Sequence, residues 1–164
     1  MASSNTTSRP GHLRIATEEA WATREMLDLY RRMLAENTPD DPGFKSLWGF
    51  YLNSPSPRAT FIIDRLQELG QPRLDDMDKT GIDKQILMLT SPGVQVFEAA
   101  TAVSLAISSN DQLAQACRKH PDRYAGMAAI AVVMTAGRTC NSSSAALIFW
   151  STTLPLGAMT WPAA

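Results

Sequence analysis

The chain has 164 residues, 45% hydrophobic and 19% charged, which suits one globular domain with a real core and excludes a wholly disordered chain. Its formal net charge is -1, with 15 Lys and Arg scattered among 16 Asp and Glu, so no basic stripe exists to neutralise a phosphate backbone and nucleic acid is not expected as a partner. The two cysteines, Cys117 and Cys140, lack CxxC or Cys/His spacing and signal neither a zinc cluster nor a disulfide framework, which fits a reducing, cytosolic home.

Residues 1–11 are polar, without the apolar centre of a secretion signal, and read as a disordered leader. His12 to Ala16 is β-compatible and reads as a first strand that ends just before the acidic pair Glu18-Glu19. From Ala22 to Ala35, Met26, Leu27, Tyr30, Met33 and Leu34 recur at helical spacing behind Thr23, a good N-cap. Glu36 to Asn53 mixes Pro39, Pro42, Gly43 and Gly49 with Phe44, Trp48, Phe50 and Tyr51, and is expected to be a packed loop. Ser56-Pro57 opens a helix to Leu69, and Pro72 opens a second one with Leu74 and Met77 inward and Gly81 in a left-handed C-terminal position.

Gln85 to Thr90 is continuously apolar at its centre and fits a strand buried on both faces of a parallel sheet. Helical patterning resumes through Phe97, Ala100, Val103, Leu105 and Ile107, and restarts at a capping box, Ser109 to Gln112, before His120-Pro121 closes it. Ala125 to Ala131 is the third expected strand. The order β, helices, β, helices, β implies α/β architecture with a parallel sheet. A complete (β/α)8 barrel needs ~250 residues, so the pattern reads as an incomplete TIM barrel. Residues 132–164 lose periodicity, and no charge follows Arg138, so they are expected to be foreign to the fold. Ala145 to Trp150 is apolar, yet the interruptions that follow keep it short of the ~20 residues of a spanning helix, and no membrane partner is expected.

The chemistry centres on Glu18, because a carboxylate at the end of the first barrel strand sits where such barrels build their active sites. On residue chemistry alone the same pair also serves as a solvated helix start. His12 and His120 have no partner at ligand spacing and read as structural or solvent-facing, and Cys117 reads as a small buried hydrophobe on a helix stripe.

Ile15 to Trp21, Leu47 to Asn53, Met77 to Val94, Ser109 to Leu113 and Cys117 to Gly126 together resemble the opening of the metal-dependent aromatic-acid decarboxylases of the amidohydrolase-related superfamily, such as the 2,3-dihydroxybenzoate, γ-resorcylate and 5-carboxyvanillate enzymes. The resemblance covers most of residues 12–131 and implies the N-terminal units of a metal-dependent hydrolase-like TIM barrel. It implies a divalent cation, zinc or manganese, with Glu18 as one ligand, and a small aromatic carboxylic acid as substrate. Ala20 stands where some members carry a second ligand histidine, as it does in other members. Tyr51 and Arg58 fall in the segment that, by resemblance, approaches the substrate. The remaining His and Asp ligands of the family are expected downstream, where this chain has Cys140 to Ser144 and an uncharged tail. The chain is therefore expected to be inactive alone, and the resemblance implies homo-oligomers among full-length relatives. The rival readings are a non-catalytic remnant that binds a full-length homologue as a partial protomer, and a hydrolase of the same superfamily. A small independent binding domain finds no support in a Gly-rich phosphate loop.

Overall fold

The computed structural model describes residues 11–38, 40–131 and, for the backbone alone, 148–150. Three strands, β1 (Ile15–Trp21), β2 (Lys84–Leu89) and β3 (Tyr124–Ala128), lie side by side and parallel, in the order the chain makes them. Expectations for the leader's residues 1–10, for Cys140 and for most of the tail fall outside the described residues. Within the tail, Ile148–Trp150 forms β4, antiparallel to β3. Among the described residues no helix is long and apolar enough to cross a membrane.

The helices set the two faces of the sheet apart. Gln85 and Leu87 of β2 and Tyr124 of β3 are buried, and the register carries Leu87 beside Glu19 on one side and Gly126 on the other. Period-two alternation assigns all of these to the helix-covered face. There Leu87 packs with Trp21, Leu74, Met77, Leu113, Ala116, Cys117 and Tyr124 in one core cluster. Gly126 is required by close approach: a Cβ on it would lie 2.8 Å from the Leu113 side chain. Of the alternate positions, Ala20, Ile86, Met88 and Met127 are only half buried, while Ala125 is buried. In a closed barrel that second face is the interior, filled by side chains from all the strands.

The helices follow the capping chemistry of their sequences, with three corrections. In α1 (Arg24–Ala35) the Thr23 hydroxyl accepts from Met26 N at 3.1 Å, as the sequence predicts. The expected loop between Glu36 and Asn53 is for the most part a helix, α2 (Pro42–Asn53), because Asp41 caps it through Phe44 N at 2.6 Å and Pro42 occupies its first turn. Its glycines are tolerated because Phe44 and Trp48 bury against α1. Helix α3 (Pro57–Gln67) starts at Ser56-Pro57 as expected, although Ser56 makes no side-chain cap bond. Helix α4 (Gln71–Thr80) ends at Gly81, whose φ of 73° is the left-handed conformation foreseen for it.

The third correction concerns α5, which runs unbroken from Ala99 to Lys119. Its cap is Glu98, which accepts from Thr101 N at 3.0 Å, and the expected restart at Ser109 does not occur. Ser109 is buried in mid-helix, because Leu105, Ser109, Leu113 and Ala116 form one stripe at three- and four-residue spacing.

A second core cluster joins α1, α2 and α3 through Ala22, Met26, Leu27, Tyr30, Phe44, Trp48 and Ile63. Tyr30 is its centre, with ring centroids of Phe44 at 5.1 Å, Trp48 at 4.9 Å and Phe97 at 5.6 Å. The burial of this ring pushes its phenol well above the ordinary value.

Candidate active site

Strand β1 runs five residues past the expected end at Ala16, so Glu18 lies inside the strand rather than beyond it. The acidic pair has the look of a strand boundary in the sequence, whereas Ala20 and Trp21 continue the ladder opposite Met88 and Leu89. The ladder is irregular at one point. Ala16 pairs with Gln85 and Glu19 with Leu87, so Thr17 and Glu18 together oppose the single residue Ile86. This is a β-bulge, a device that kinks a strand and re-aims a side chain, often beside an active site.

Glu18 has a φ of 60°. Left-handed backbone in a residue other than glycine costs on the order of 1–3 kcal/mol and persists only where surrounding structure enforces it. Neither the bulge nor this conformation has a signal in the sequence, since glutamate has none of the left-handed preference of Gly or Asn.

The acidic pair is divided in its contacts. Glu19, on the helix-covered face, lies 3.8 Å from the Arg73 guanidinium and accepts from Gln85 Nε2 at 3.3 Å. Glu18 is exposed, and its side chain makes no hydrogen bond or ion pair among the described residues. An unpartnered carboxylate is a hard oxygen donor of the type that suits magnesium, manganese or zinc. No group of three or more His, Cys, Asp and Glu that could hold a metal is gathered among the described residues. They offer one donor and not a complete site.

Tyr51 and Arg58 stand on the facing ends of two consecutive helices. Tyr51, half buried in the last turn of α2, leans on Trp48 at 6.4 Å and Phe50 at 5.2 Å between ring centroids. Arg58 is exposed in the first turn of α3, and its side chain makes no hydrogen bond or ion pair among the described residues. Neither touches Glu18 through a hydrogen bond or ring contact among these residues. His12 is exposed, and His120 ends α5 with its ring edge-on to Tyr124 at 5.7 Å, so neither joins a ligand set. Cys117 is buried on α5, its thiol pushed up by desolvation, as expected of a core residue.

No family model matches the chain. A crystal structure of 5-carboxyvanillate decarboxylase from Novosphingobium aromaticivorans, complexed with manganese and 4-hydroxy-3-methoxy-5-nitrobenzoic acid, is 57% identical with a TM-score of 0.71, over 74% of this chain and 34% of that one. The chain is a relative of the aromatic-acid decarboxylases. A γ-resorcylate decarboxylase from Polaromonas sp. is 32% identical over 118 residues, 71% of this chain and 30% of that protein. Another, from Rhodococcus jostii, is 42% identical over 67 residues, 40% of this chain and 20% of its own length. The chain thus spans between a fifth and about a third of these relatives, over their N-terminal part. Its parallel sheet with flanking helices matches the N-terminal part of the TIM barrel those decarboxylases form.

Proposed function

We propose that residues 12–131 serve as the opening units of a metal-dependent, non-oxidative decarboxylase acting on a hydroxybenzoate-type aromatic acid. The observation that carries this reading is the state of Glu18: exposed, unpartnered among the described residues and held on a bulged strand at φ 60°, in a chain 57% identical to a manganese-bound decarboxylase over 74% of its length. In this reading Glu18 supplies one ligand to zinc or manganese. When bound, the cation acts as a Lewis acid toward the substrate. The bond between ring carbon and carboxylate breaks, its electron pair stays on the ring carbon, a proton takes the vacated position and carbon dioxide leaves. Nothing is oxidised, so no redox cofactor is required.

Arg58 is the residue for a carboxylate or phenolate oxygen, since its guanidinium is exposed and unpaired among the described residues. Tyr51, held by Trp48 and Phe50, borders the same segment. Among the described residues Glu18 stands without the further ligands that a catalytic metal site usually takes, so in this reading the 164-residue chain has little or no activity alone. A second reading, a partial protomer that binds a full-length homologue, draws on the exposure of Leu13, Ile15, Val103 and Ile107.

The test is a graft. Residues 12–131 replace the matching segment of the Novosphingobium enzyme, and carbon dioxide release from 5-carboxyvanillate is followed with manganese present. Activity in the graft that vanishes in Glu18→Gln, with none in the 164-residue chain, is the expected result. Activity that survives Glu18→Gln overturns the site, and turnover by the chain alone overturns the claim that it is inactive.

A further inference from the structure

The bulge that carries Glu18 needs something to hold it, and the helix layer supplies a candidate. Arg73, in the first turn of α4, has a side chain only 12% exposed. Its NH2 donates to Ala20 O at 2.9 Å, its Nε to Gln85 Oε1 at 2.8 Å and its NH1 to Glu68 O at 3.2 Å, and the Glu19 carboxylate lies 3.8 Å away. Gln85, so fixed, reaches back to Glu19 at 3.3 Å. One guanidinium thus grips the two residues that follow Glu18 and ties them to β2 and to the turn before α4.

We infer that Arg73 is the positioning residue for Glu18, clamping residues 19 and 20 from the helix side so that the strain of the bulge stays on residue 18. The planar fork is what the task needs: its three nitrogens serve three acceptors in different directions, which the single ammonium of lysine cannot reproduce. Burial lowers the affinity of Arg73 for its proton, and Tyr124 and Glu19 act against that shift. The clamp is independent of any metal. What it serves, presentation of a ligand, rests on the reading of Glu18 given above.

The experiment uses the isotope-labelled 164-residue chain and Mn2+ alone as probe. Two quantities are read by nuclear magnetic resonance: the coupling between the amide and α protons of Glu18, which is smaller for left-handed than for extended backbone, and the Mn2+-induced broadening of residues 17–20. Arg73→Lys and Arg73→Gln are each expected to raise the Glu18 coupling toward the extended value. Both are also expected to weaken Mn2+ binding about 10-fold, with the amides of Leu87 and Leu113 unmoved. Unchanged coupling and broadening in folded Arg73→Lys overturns the inference. So does unfolding of both variants, which makes Arg73 a support of the whole sheet and not of residue 18. Glu18→Gln separates the two claims. If broadening survives it, Glu18 is not the ligand; if the parent shows none, one carboxylate holds no Mn2+ without the rest of a site, and in either case the coupling measurement still decides the role of Arg73.

Discussion

The phenol of Tyr30 on α1 donates a 2.6 Å hydrogen bond to the carbonyl of Gly93, in the 3-10 turn Gly93–Val96 just after β2. The contact spans 63 residues of sequence and ties the segment leaving the second strand to the aromatic cluster under α2. Because Trp48 of that cluster also supports Tyr51, the same packing reaches a residue of the proposed substrate segment.

Tyr30→Phe keeps the ring contacts and removes only the hydroxyl. The expected loss is about 1–3 kcal/mol, since the Gly93 carbonyl is left buried without its donor. Urea unfolding measures it, and faster amide exchange in residues 93–97 locates it.

The same hydroxyl has a pH signature. Its affinity for its proton is raised in the folded chain, chiefly by burial, above the ordinary value of 10.0 that applies on unfolding. The folded state therefore holds a proton that the unfolded state gives up first. The corresponding stability is complete below pH 10.0 and is lost as the pH climbs from there toward the folded value. Alkaline unfolding curves of the parent are expected to fall more steeply above this point than those of Tyr30→Phe.

Asn110 gives a third prediction. Its Oδ1 accepts from Ala129 N at 2.7 Å and its Nδ2 donates to Ala129 O at 2.8 Å, so one side chain satisfies both backbone groups of the residue following β3. Asn110→Ala leaves a half-buried donor and acceptor unpaired together, at a cost of about 1–3 kcal/mol. Asn110→Asp keeps the acceptor and brings a charge against the Ala129 carbonyl, so it is expected to be no better. Denaturant midpoints of the two variants check the ranking.

The parts of the fold that could be read in the sequence are those with a local cause. Thr23 before α1, Gly81 after α4 and the apolar run of β2 each declare their structure within a few residues. The misread parts turn on contacts made far away. The aromatic residues of α2 fold as a helix because Tyr30 receives Phe44 and Trp48, and Ser109 stays helical because α5 lies over Gly126 and its stripe must continue. In the candidate site, the sequence shows Glu18 as a carboxylate at the end of the first strand, and not inside it. The bulge, the left-handed backbone and the Arg73 contact are not legible there, since an arginine in the first turn of a helix ordinarily faces water.

Gly126 supplies a fourth prediction. Gly126→Ala places a methyl group 2.8 Å from Leu113 Cγ and Cδ2 and 3.4 Å from Cys117 Sγ, so the Leu113 side chain must shift to admit it. Overpacking of this kind costs about 1–3 kcal/mol. The pair Gly126→Ala with Leu113→Ala is expected to destabilise less than the sum of the two single changes, because the smaller side chain makes room for the methyl group. Strict additivity of the unfolding free energies would disprove the close approach.

Arg58 separates stability from recognition. It is exposed in the first turn of α3 and unpaired among the described residues, so Arg58→Ala is expected to shift unfolding by less than about 0.5 kcal/mol. If its guanidinium meets a substrate oxygen, the same change in the grafted enzyme raises KM or lowers kcat/KM by about 10-fold or more, the scale of a lost charged hydrogen bond. Arg58→Lys keeps the charge and loses the planar fork, so a bidentate contact predicts little rescue and a long-range charge effect predicts nearly full rescue. Kinetics of the three grafts, parent, Ala and Lys, beside their melting curves therefore decide between a bidentate contact, a diffuse field and an idle surface residue. Unchanged kinetics in Arg58→Ala would remove it from the substrate segment and leave Tyr51 as the residue to test next.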